Sequence, residues 1–194
     1  MLKLLGEYPC KLDNKGRFLF PARMRKSLEE VIHLGLVINR DIYTRCLVIY
    51  PQPTWDKISA DLERMNPHNR KHAEFIRFFL NGATELELDS VGRMNIPTHL
   101  LDYAEVDLKK NNELVLCGLG QKMELWNKDT RDTKFSTPDF DFMQLAEEVQ
   151  NDLRKDNYTR RLQKRLSQRI CRTTKKKTDT TDRCSCKLLS TTST

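Results

Sequence analysis

The chain has 194 residues, with 34 lysines and arginines against 27 aspartates and glutamates, and a formal net charge of +7. It is long enough to bury a core, and no run of about eighteen apolar residues indicates a membrane span. Its six cysteines form no CxxC pair, and the N-terminus has no signal-peptide pattern. We therefore expect a cytosolic protein with reduced thiols, which excludes the membrane and disulfide-rich secreted classes.

The positive charge is concentrated towards the C-terminus. Residues 151–194 carry 13 of the basic and 4 of the acidic residues, a balance of +9. The remaining 21 basic and 23 acidic residues give residues 1–150 a balance of −2. A nucleic-acid site in the main part of the chain would therefore depend on a local cluster of cations and not on the overall charge.

The first predicted element is a β-hairpin over residues 5–20, whose turn has the sequence Leu12-Asp13-Asn14-Lys15-Gly16-Arg17. Asp13 can accept backbone N–H bonds inside the turn, and Gly16 can adopt the positive φ that closes a three-residue loop. Pro21 then predicts the start of a short helix that ends near residue 30, because the first helical N–H needs no partner.

Two strands and two helices are predicted next. β-branched and apolar runs predict a strand pair at residues 34–39 and 46–50. Apolar residues three and four positions apart then predict an amphipathic helix from Trp55 to Met65. A second helix is predicted between Pro67 and Gly82.

The turn sequence then occurs again, recognisably, as Leu88-Asp89-Ser90-Val91-Gly92-Arg93. Pro97 follows this second copy at the same distance as Pro21 follows the first, so the chain contains an internal repeat. The second copy predicts the following elements: strand, turn and strand over 84–96, a helix over 97–104, strands at 113–117 and 122–126, a helix at 128–134 and a last helix over 140–153.

Two Asp-x-x-x-Arg turns, each followed by Phe-Pro or Ile-Pro and a helix, resemble the MraZ family of bacterial transcription regulators. Cys46–Pro51 and Glu124–Trp126 follow the turns in the same order, and the resemblance covers about residues 5–152. It implies a mixed α/β fold with a β-barrel core, in which two swapped-hairpin repeats like those of AbrB and MazE are intertwined, with peripheral helices. It also implies assembly into a homo-oligomeric ring.

The expected segments are a first repeat at 5–52, connecting helices at 53–81, a second repeat at 82–128, a helical segment at 129–156 and a basic tail at 157–194. The tail is predicted to be disordered, because its low apolar content cannot offset the entropy of ordering. It is an extension relative to the family pattern. A nucleic-acid-binding arm and an extension without a selected function both remain open.

Arg17 has two interpretations. It could simply pair with Asp13 inside the turn, and without the repeat this structural role would be favoured. However, an arginine on a rigid turn can also bind guanine in the major groove while nearby lysines bind phosphates. The resemblance implies this role, so the predicted DNA-binding set is Arg17, Lys15, Lys11, Arg23 and Arg25.

The second turn lies in an acidic stretch with Glu85, Glu87 and Asp102, which would repel phosphate. A structural role is therefore predicted for Arg93. The residues assigned to the turns themselves are Asp13, Gly16, Asp89, Gly92 and Arg93.

The resemblance implies a transcriptional regulator in the cytoplasm, associated with the nucleoid, that binds tandem promoter repeats in double-stranded DNA. It would repress or autoregulate the division and cell-wall gene cluster. The alternative is a ring-forming structural or protein-interaction module whose acidic hairpin docks a partner such as a methyltransferase.

Catalytic residues cannot be assigned from the sequence. His68 and His72 are four residues apart, but a third metal ligand is not evident and a solvated helix face is favoured. We expect no enzyme activity, cofactor, metal or small-molecule substrate.

Overall fold

The structure is a computed structural model that describes residues 2–136, 138 and 140–156. The tail predicted at 157–194 lies outside the described residues. The chain divides into two units, Met1–Thr137 and Pro138–Thr194. In the second unit, residues 142–156 form a helix over the region predicted to be the last helix.

The first unit contains eight strands, five α-helices and one short 3-10 helix among its described residues. In chain order they are β1 (Leu4–Lys11), β2 (Arg17–Leu19), α1 (Ala22–Ser27), the 3-10 helix (Ile32–Leu34), β3 (Leu36–Arg40), β4 (Leu47–Pro51), α2 (Gln52–Glu63), α3 (Arg70–Leu80), β5 (Thr84–Leu86), β6 (Arg93–Asn95), α4 (Thr98–Tyr103), β7 (Glu113–Gly120), β8 (Lys122–Asn127) and α5 (Lys128–Ser136).

The described strands form a six-stranded sheet in the order β1-β7-β8-β4-β3-β5 and a separate two-stranded ribbon of β2 and β6. All of these pairs are antiparallel. The hairpins β3–β4 and β7–β8 each lie within one repeat, whereas β1 pairs with β7 and β5 pairs with β3. Each repeat therefore gives its first strand to the other repeat, so that the two repeats are intertwined.

The registers show an approximate twofold relation between the repeats. Phe18 lies opposite Met94 in the ribbon, and Val48 lies opposite Glu124 where β4 meets β8. Each pair joins equivalent positions of the two repeats, so a twofold axis that exchanges the repeats would pass through both pairs. The repeat in the sequence is thus also the symmetry of the fold.

The main core lies on one face of the sheet and includes the inner face of the ribbon. Leu114 and Leu116 of β7 contribute to it, while Val115 and Cys117 point to a second, smaller cluster with Cys46 and Trp126. Successive side chains of a strand point to opposite faces. β7 is therefore buried on both faces, and it lies between β1 and β8 in the sheet.

Two sequence predictions about the strands are wrong. Both turns are present, but the strands that flank each turn do not form a continuous hairpin, because β2 pairs with β6 from the other repeat. The described strands also do not close into a barrel. The exchange between repeats places β1 and β5 at opposite edges of the sheet, and β5 is only three residues long.

Among the described residues, none of the helices has the length and apolar character needed to cross a bilayer.

The approach of β1 to β7 gives the first testable prediction. A Cβ atom added to Gly118 would lie 2.7 Å from the backbone carbon of Leu4 and from the backbone nitrogen of Leu5. We expect Gly118→Ala to lower the free energy of unfolding by about 1–3 kcal/mol, because the two strands must move apart. Urea denaturation measures the change.

The matched control is Leu119→Ala, since Leu119 is the next residue of β7 and is 48% exposed. Substitutions at the protein surface usually change stability by no more than about 0.5 kcal/mol. If Gly118→Ala is equally mild, β1 does not lie against β7 as described.

Candidate nucleic-acid interface

The first turn is held by the backbone and by one carboxylate. The N–H of Asp13 donates to the carbonyl of Arg17 at 2.7 Å, and the N–H of Gly16 donates to the carbonyl of Asp13 at 3.0 Å. Oδ1 of Asp13 accepts from the N–H groups of Lys15 and Arg17 at 2.8 and 3.0 Å. Gly16 has a φ of +75°, which the closing position requires.

The second carboxylate oxygen of Asp13 holds the arginine. Nε and Nη2 of Arg17 lie 2.8 and 2.6 Å from Oδ2 of Asp13. The guanidinium and the backbone N–H groups together lower the pKa of Asp13 from 3.8 to about 2. A guanidinium has five N–H donors, and this ion pair engages the side that carries Nε and Nη2. The Nη1 end of Arg17 therefore points away from its aspartate.

The second turn repeats this geometry. Nε of Arg93 donates to Oδ2 of Asp89 at 2.9 Å, and Oδ1 of Asp89 accepts from the N–H of Arg93 at 2.8 Å. These bonds lower the pKa of Asp89 as well. The structural pairing that the sequence suggested is thus present in both turns. It fixes the direction of each arginine, while the assignment of Arg17 to DNA stays a prediction.

Both arginines lie on the outer face of the β2–β6 ribbon. Phe18 and Met94 are buried on its inner face, with 1% and 0% exposure. Alternation along the strands then places Arg17 and Leu19 of β2 on the outer face, opposite Asn95 and Arg93 of β6. Leu19 and Asn95 cannot be assigned to this face from the sequence, because the strand pattern alone does not say which strand lies beside which.

The other predicted cations are not all at the first turn. Lys15 is exposed in that turn, and Lys11 lies at the end of β1 opposite Glu113. Arg23 is exposed on α1. Arg25, however, lies against the second turn, where its Nη1 atom is 2.7 Å from the position of a Cβ added to Gly92.

The exchange of strands explains the position of Arg25. The N–H of Phe20 donates to the carbonyl of Gly92 at 3.0 Å, and the N–H of Ile96 donates to the carbonyl of Gly16 at 2.9 Å. Each helix that follows a turn in the sequence therefore begins beside the turn of the other repeat. Sequence proximity to Arg17 is consequently misleading for Arg25.

An acidic cleft adjoins the second turn. It has a volume of about 780 Å³. The charged residues that line it are Arg25, Glu85, Glu87 and Asp89. Its apolar part is contributed by Ile32, Leu34, Leu36, Leu86 and Leu88. The two turns thus share a backbone geometry but differ in charge, as the sequence predicted.

One cluster of potential metal ligands was not foreseen. The ligand atoms of Asp41, Cys46 and Glu124 lie within 4.8 Å of one another, because β4 pairs with β8. Burial raises the pKa of the Cys46 thiol to about 12. Oδ2 of Asp41 already accepts from the N–H groups of Tyr43 and Thr44, each at 2.9 Å. These two hydrogen bonds give Asp41 a structural role in the 41–46 loop.

Glu124 is similarly engaged. Its two carboxylate oxygens accept from Nζ of Lys122 at 3.1 Å and from Nε1 of Trp126 at 3.0 Å. Of the two histidines considered above, His72 has a local role, since its Nδ1 accepts from the N–H of Asn66 at 3.1 Å.

Comparison with known protein families gives a separate match to each of the two repeats. A family model described as "MraZ protein, putative antitoxin-like" matches residues 4–78 and again residues 79–153. A transcriptional regulator MraZ of Flavobacterium psychrophilum is 33% identical over 158 residues, which cover 81% of this chain and 98% of that protein.

Two further relatives carry the same name. That of Christiangramia forsetii is 34% identical over 149 residues, which cover 77% of this chain and 94% of that protein. That of Desulforamulus reducens is 35% identical over 146 residues, which cover 75% of this chain and 96% of that protein. The resemblance seen in the two turn sequences is thereby confirmed.

The pKa of Asp13 gives a prediction about stability and pH. Because folding lowers this pKa from 3.8 to about 2, the ion pair stabilises the folded state above pH 3.8 and the effect disappears as the pH falls through about 2. Asp13→Asn should therefore be less stable than the unchanged protein at pH 5, with a difference that shrinks towards pH 2. Urea denaturation at several pH values measures it.

Asp61→Asn is the matched control, since Asp61 pairs with Arg64 near the end of α2 and both side chains are more than 70% exposed. Its effect on stability should be small, because an exposed ion pair contributes little to the free energy of unfolding. An equal pH dependence for both variants would contradict the role given to Asp13 in the turn.

Proposed function

This chain belongs to the MraZ family, and we propose that it is a sequence-specific DNA-binding transcriptional regulator. It acts as a homo-oligomeric ring on tandem repeats in promoter DNA, in the cytoplasm and at the nucleoid, and it represses or autoregulates the division and cell-wall gene cluster. Relatives that cover most of this chain are named transcriptional regulators. The proposal needs no enzyme activity, cofactor or small-molecule substrate.

The observation that carries the proposal is the outward position of Arg17 on a two-stranded ribbon. The major groove of B-DNA is about 12 Å wide and admits such a ribbon. An arginine there can donate two hydrogen bonds to O6 and N7 of guanine. The inner face of the ribbon is anchored in the core by Phe18 and Met94, so the outer face is held rigidly.

Asp13 acts as a positioning residue in this proposal. It occupies one side of the guanidinium of Arg17 and directs the Nη1 end away from the turn. An arginine that is fixed before binding loses less rotamer entropy when it meets a base. The same side chain then keeps its ion pair within the turn while its free end recognises a base.

A single ribbon would bind weakly, because the first turn brings few cations and the second turn is acidic. Several ribbons on one ring would bind one DNA with a high effective concentration, provided that the sites are repeated along the duplex. Individually weak modules can hold tandem repeats firmly in this way. The ring is part of the proposal.

A second function is favoured by the acidic cleft. Glu85, Glu87 and Asp89 line it beside apolar side chains, which suits a basic segment of a partner protein. The chain would then be a structural or interaction module, for example one that docks a methyltransferase. This candidate predicts no preference between DNA sequences.

Arg17→Ala tests the main proposal. Each lost bidentate contact removes about 1–3 kcal/mol of discrimination, so specific binding to a duplex from upstream of the gene should fall by about tenfold or more. A mobility-shift assay measures binding, and size-exclusion chromatography checks that the oligomer is unchanged.

The control for Arg17→Ala is Arg64→Ala, which removes an arginine that also pairs with an aspartate but lies at the end of α2. Arg64→Ala should bind as the unchanged protein does. Specific binding that survives Arg17→Ala at moderate salt would refute the role of Arg17.

Lys15→Gln should behave differently from Arg17→Ala. Lys15 is exposed in the first turn and is proposed to contact phosphate. Its loss should lower affinity for repeat-containing and scrambled duplexes alike, and the slope of log K against log salt should fall by about one per contact. A change in sequence preference after this substitution would instead assign base recognition to Lys15.

A further inference from the structure

We propose that the second repeat also takes part in base recognition, through Asn95 acting together with Leu19 on the outer face of the β2–β6 ribbon. This inference rests on the proposed function and adds the residues that set its specificity. Arg17 would bind guanine, Asn95 would bind adenine on a neighbouring base pair, and Leu19 would contact the methyl group of thymine.

The register brings these side chains together. Asn95 is directly opposite Arg17, and Leu19 is directly opposite Arg93. Directly opposed side chains of an antiparallel pair have Cβ atoms about 4.5–5.5 Å apart. Successive bases along a DNA strand rise by about 3.4 Å. A side chain opposite Arg17 therefore lies within reach of the next base pairs when Arg17 binds a base.

The fold itself gives neither residue a role. Leu19 is 62% exposed, although Phe18 beside it is buried. Asn95 is exposed, and its side chain makes no hydrogen bond within the described part of the chain. Arg17 and Arg93, in contrast, are engaged by aspartates. The ribbon thus presents one amide and one apolar side chain that nothing in the described protein uses.

Their chemistry matches base edges of the major groove. The amide of asparagine can both donate and accept, and it pairs in a bidentate manner with N6 and N7 of adenine. An apolar side chain contacts the thymine methyl group. Arginine, asparagine and leucine on one ribbon could therefore distinguish three kinds of base.

The approximate twofold symmetry of the fold shows how the two strands of the ribbon differ at equivalent positions. Leu19 and Asn95 occupy the same position in the two repeats, as do Arg17 and Arg93. The ribbon therefore presents Arg-x-Leu from one repeat and Arg-x-Asn from the other. Two identical strands would read a symmetric site, whereas these two read an asymmetric one. Each subunit would then have one orientation on the duplex, which suits tandem repeats.

The experiment uses the full chain and a library of duplexes with a randomised stretch long enough to span two helical turns of DNA. Base preferences are determined by selection and sequencing for the unchanged protein and for Asn95→Ala, Asn95→Leu and Leu19→Asn. The best selected duplex and a scrambled duplex are then titrated with each protein. Ile42→Ala is the control, because Ile42 is 51% exposed but lies in the 41–46 loop.

Asn95→Ala should lose the preference at one base pair near the selected guanine and bind the selected duplex about tenfold more weakly. Its binding to the scrambled duplex should not change. Leu19→Asn should change the preference at another position from thymine towards adenine. This gain cannot result from partial unfolding, and Ile42→Ala should keep every preference.

The inference is overturned if the Asn95 and Leu19 variants keep the base preferences of the unchanged protein. Arg17→Ala, selected in parallel, separates this result from a failure of the proposed function. Loss of specific binding in Arg17→Ala alone would mean that Arg17 reads the bases without its ribbon neighbours. Specific binding that survives Arg17→Ala would refute the role of Arg17 and, with it, this inference, whereas an unchanged protein that selects no sequence would refute the proposed function itself.

Discussion

The pairing of β2 with β6 is the constraint on which the rest of this structure depends. Each strand is only three residues long, and such a short strand has no stability of its own. Burial of Phe18 and Met94 in the main core stabilises the two paired strands on their inner face. Because one strand comes from each repeat, the pair can form only when both turns are in place. The position of the two arginines thus depends on contacts between the repeats.

The two turns have the same backbone geometry, but the residues around them carry charges of opposite sign. Asp13 and Asp89 each bind an arginine four residues later through the same atoms, so the geometry of the turns does not distinguish the repeats. The neighbours do: Lys15 is part of the first turn, while Glu87 precedes the second. A duplicated scaffold of this kind can keep its fold while the charge around one copy becomes opposite to the charge around the other.

Much of the local structure could be predicted from the sequence. The repeated turn motif correctly predicted both turns, and the apolar runs predicted strands β3, β4, β7 and β8. These features are encoded within a few residues of one another. The partners of β1, β2 and β5 could not be predicted in the same way, since an apolar alternation specifies a strand but not its neighbour.

That gap has consequences for the site. The closeness of Arg25 to Arg17 in the chain predicts a shared site, yet Arg25 lies at Gly92 of the other repeat. Leu19 and Asn95 were overlooked because their shared face exists only after β2 meets β6. The cluster of Asp41, Cys46 and Glu124 likewise requires the meeting of β4 and β8. Residues brought together by long-range pairing have no signal in a single sequence.

The exchange of first strands also affects how the chain can fold during its synthesis. Leu4 is paired with Gly120, and Lys11 at the other end of the strand is paired with Glu113. A ribosome adds about 5–20 residues per second, so the first strand waits roughly 5–20 seconds before its partner has been translated. During that interval both edges of β1 are open, and Pro9 removes a backbone donor from the outer one, because the N–H of Leu12 donates towards β7 and Pro9 lies an odd number of residues away. The proline is thus suited to protect the nascent chain.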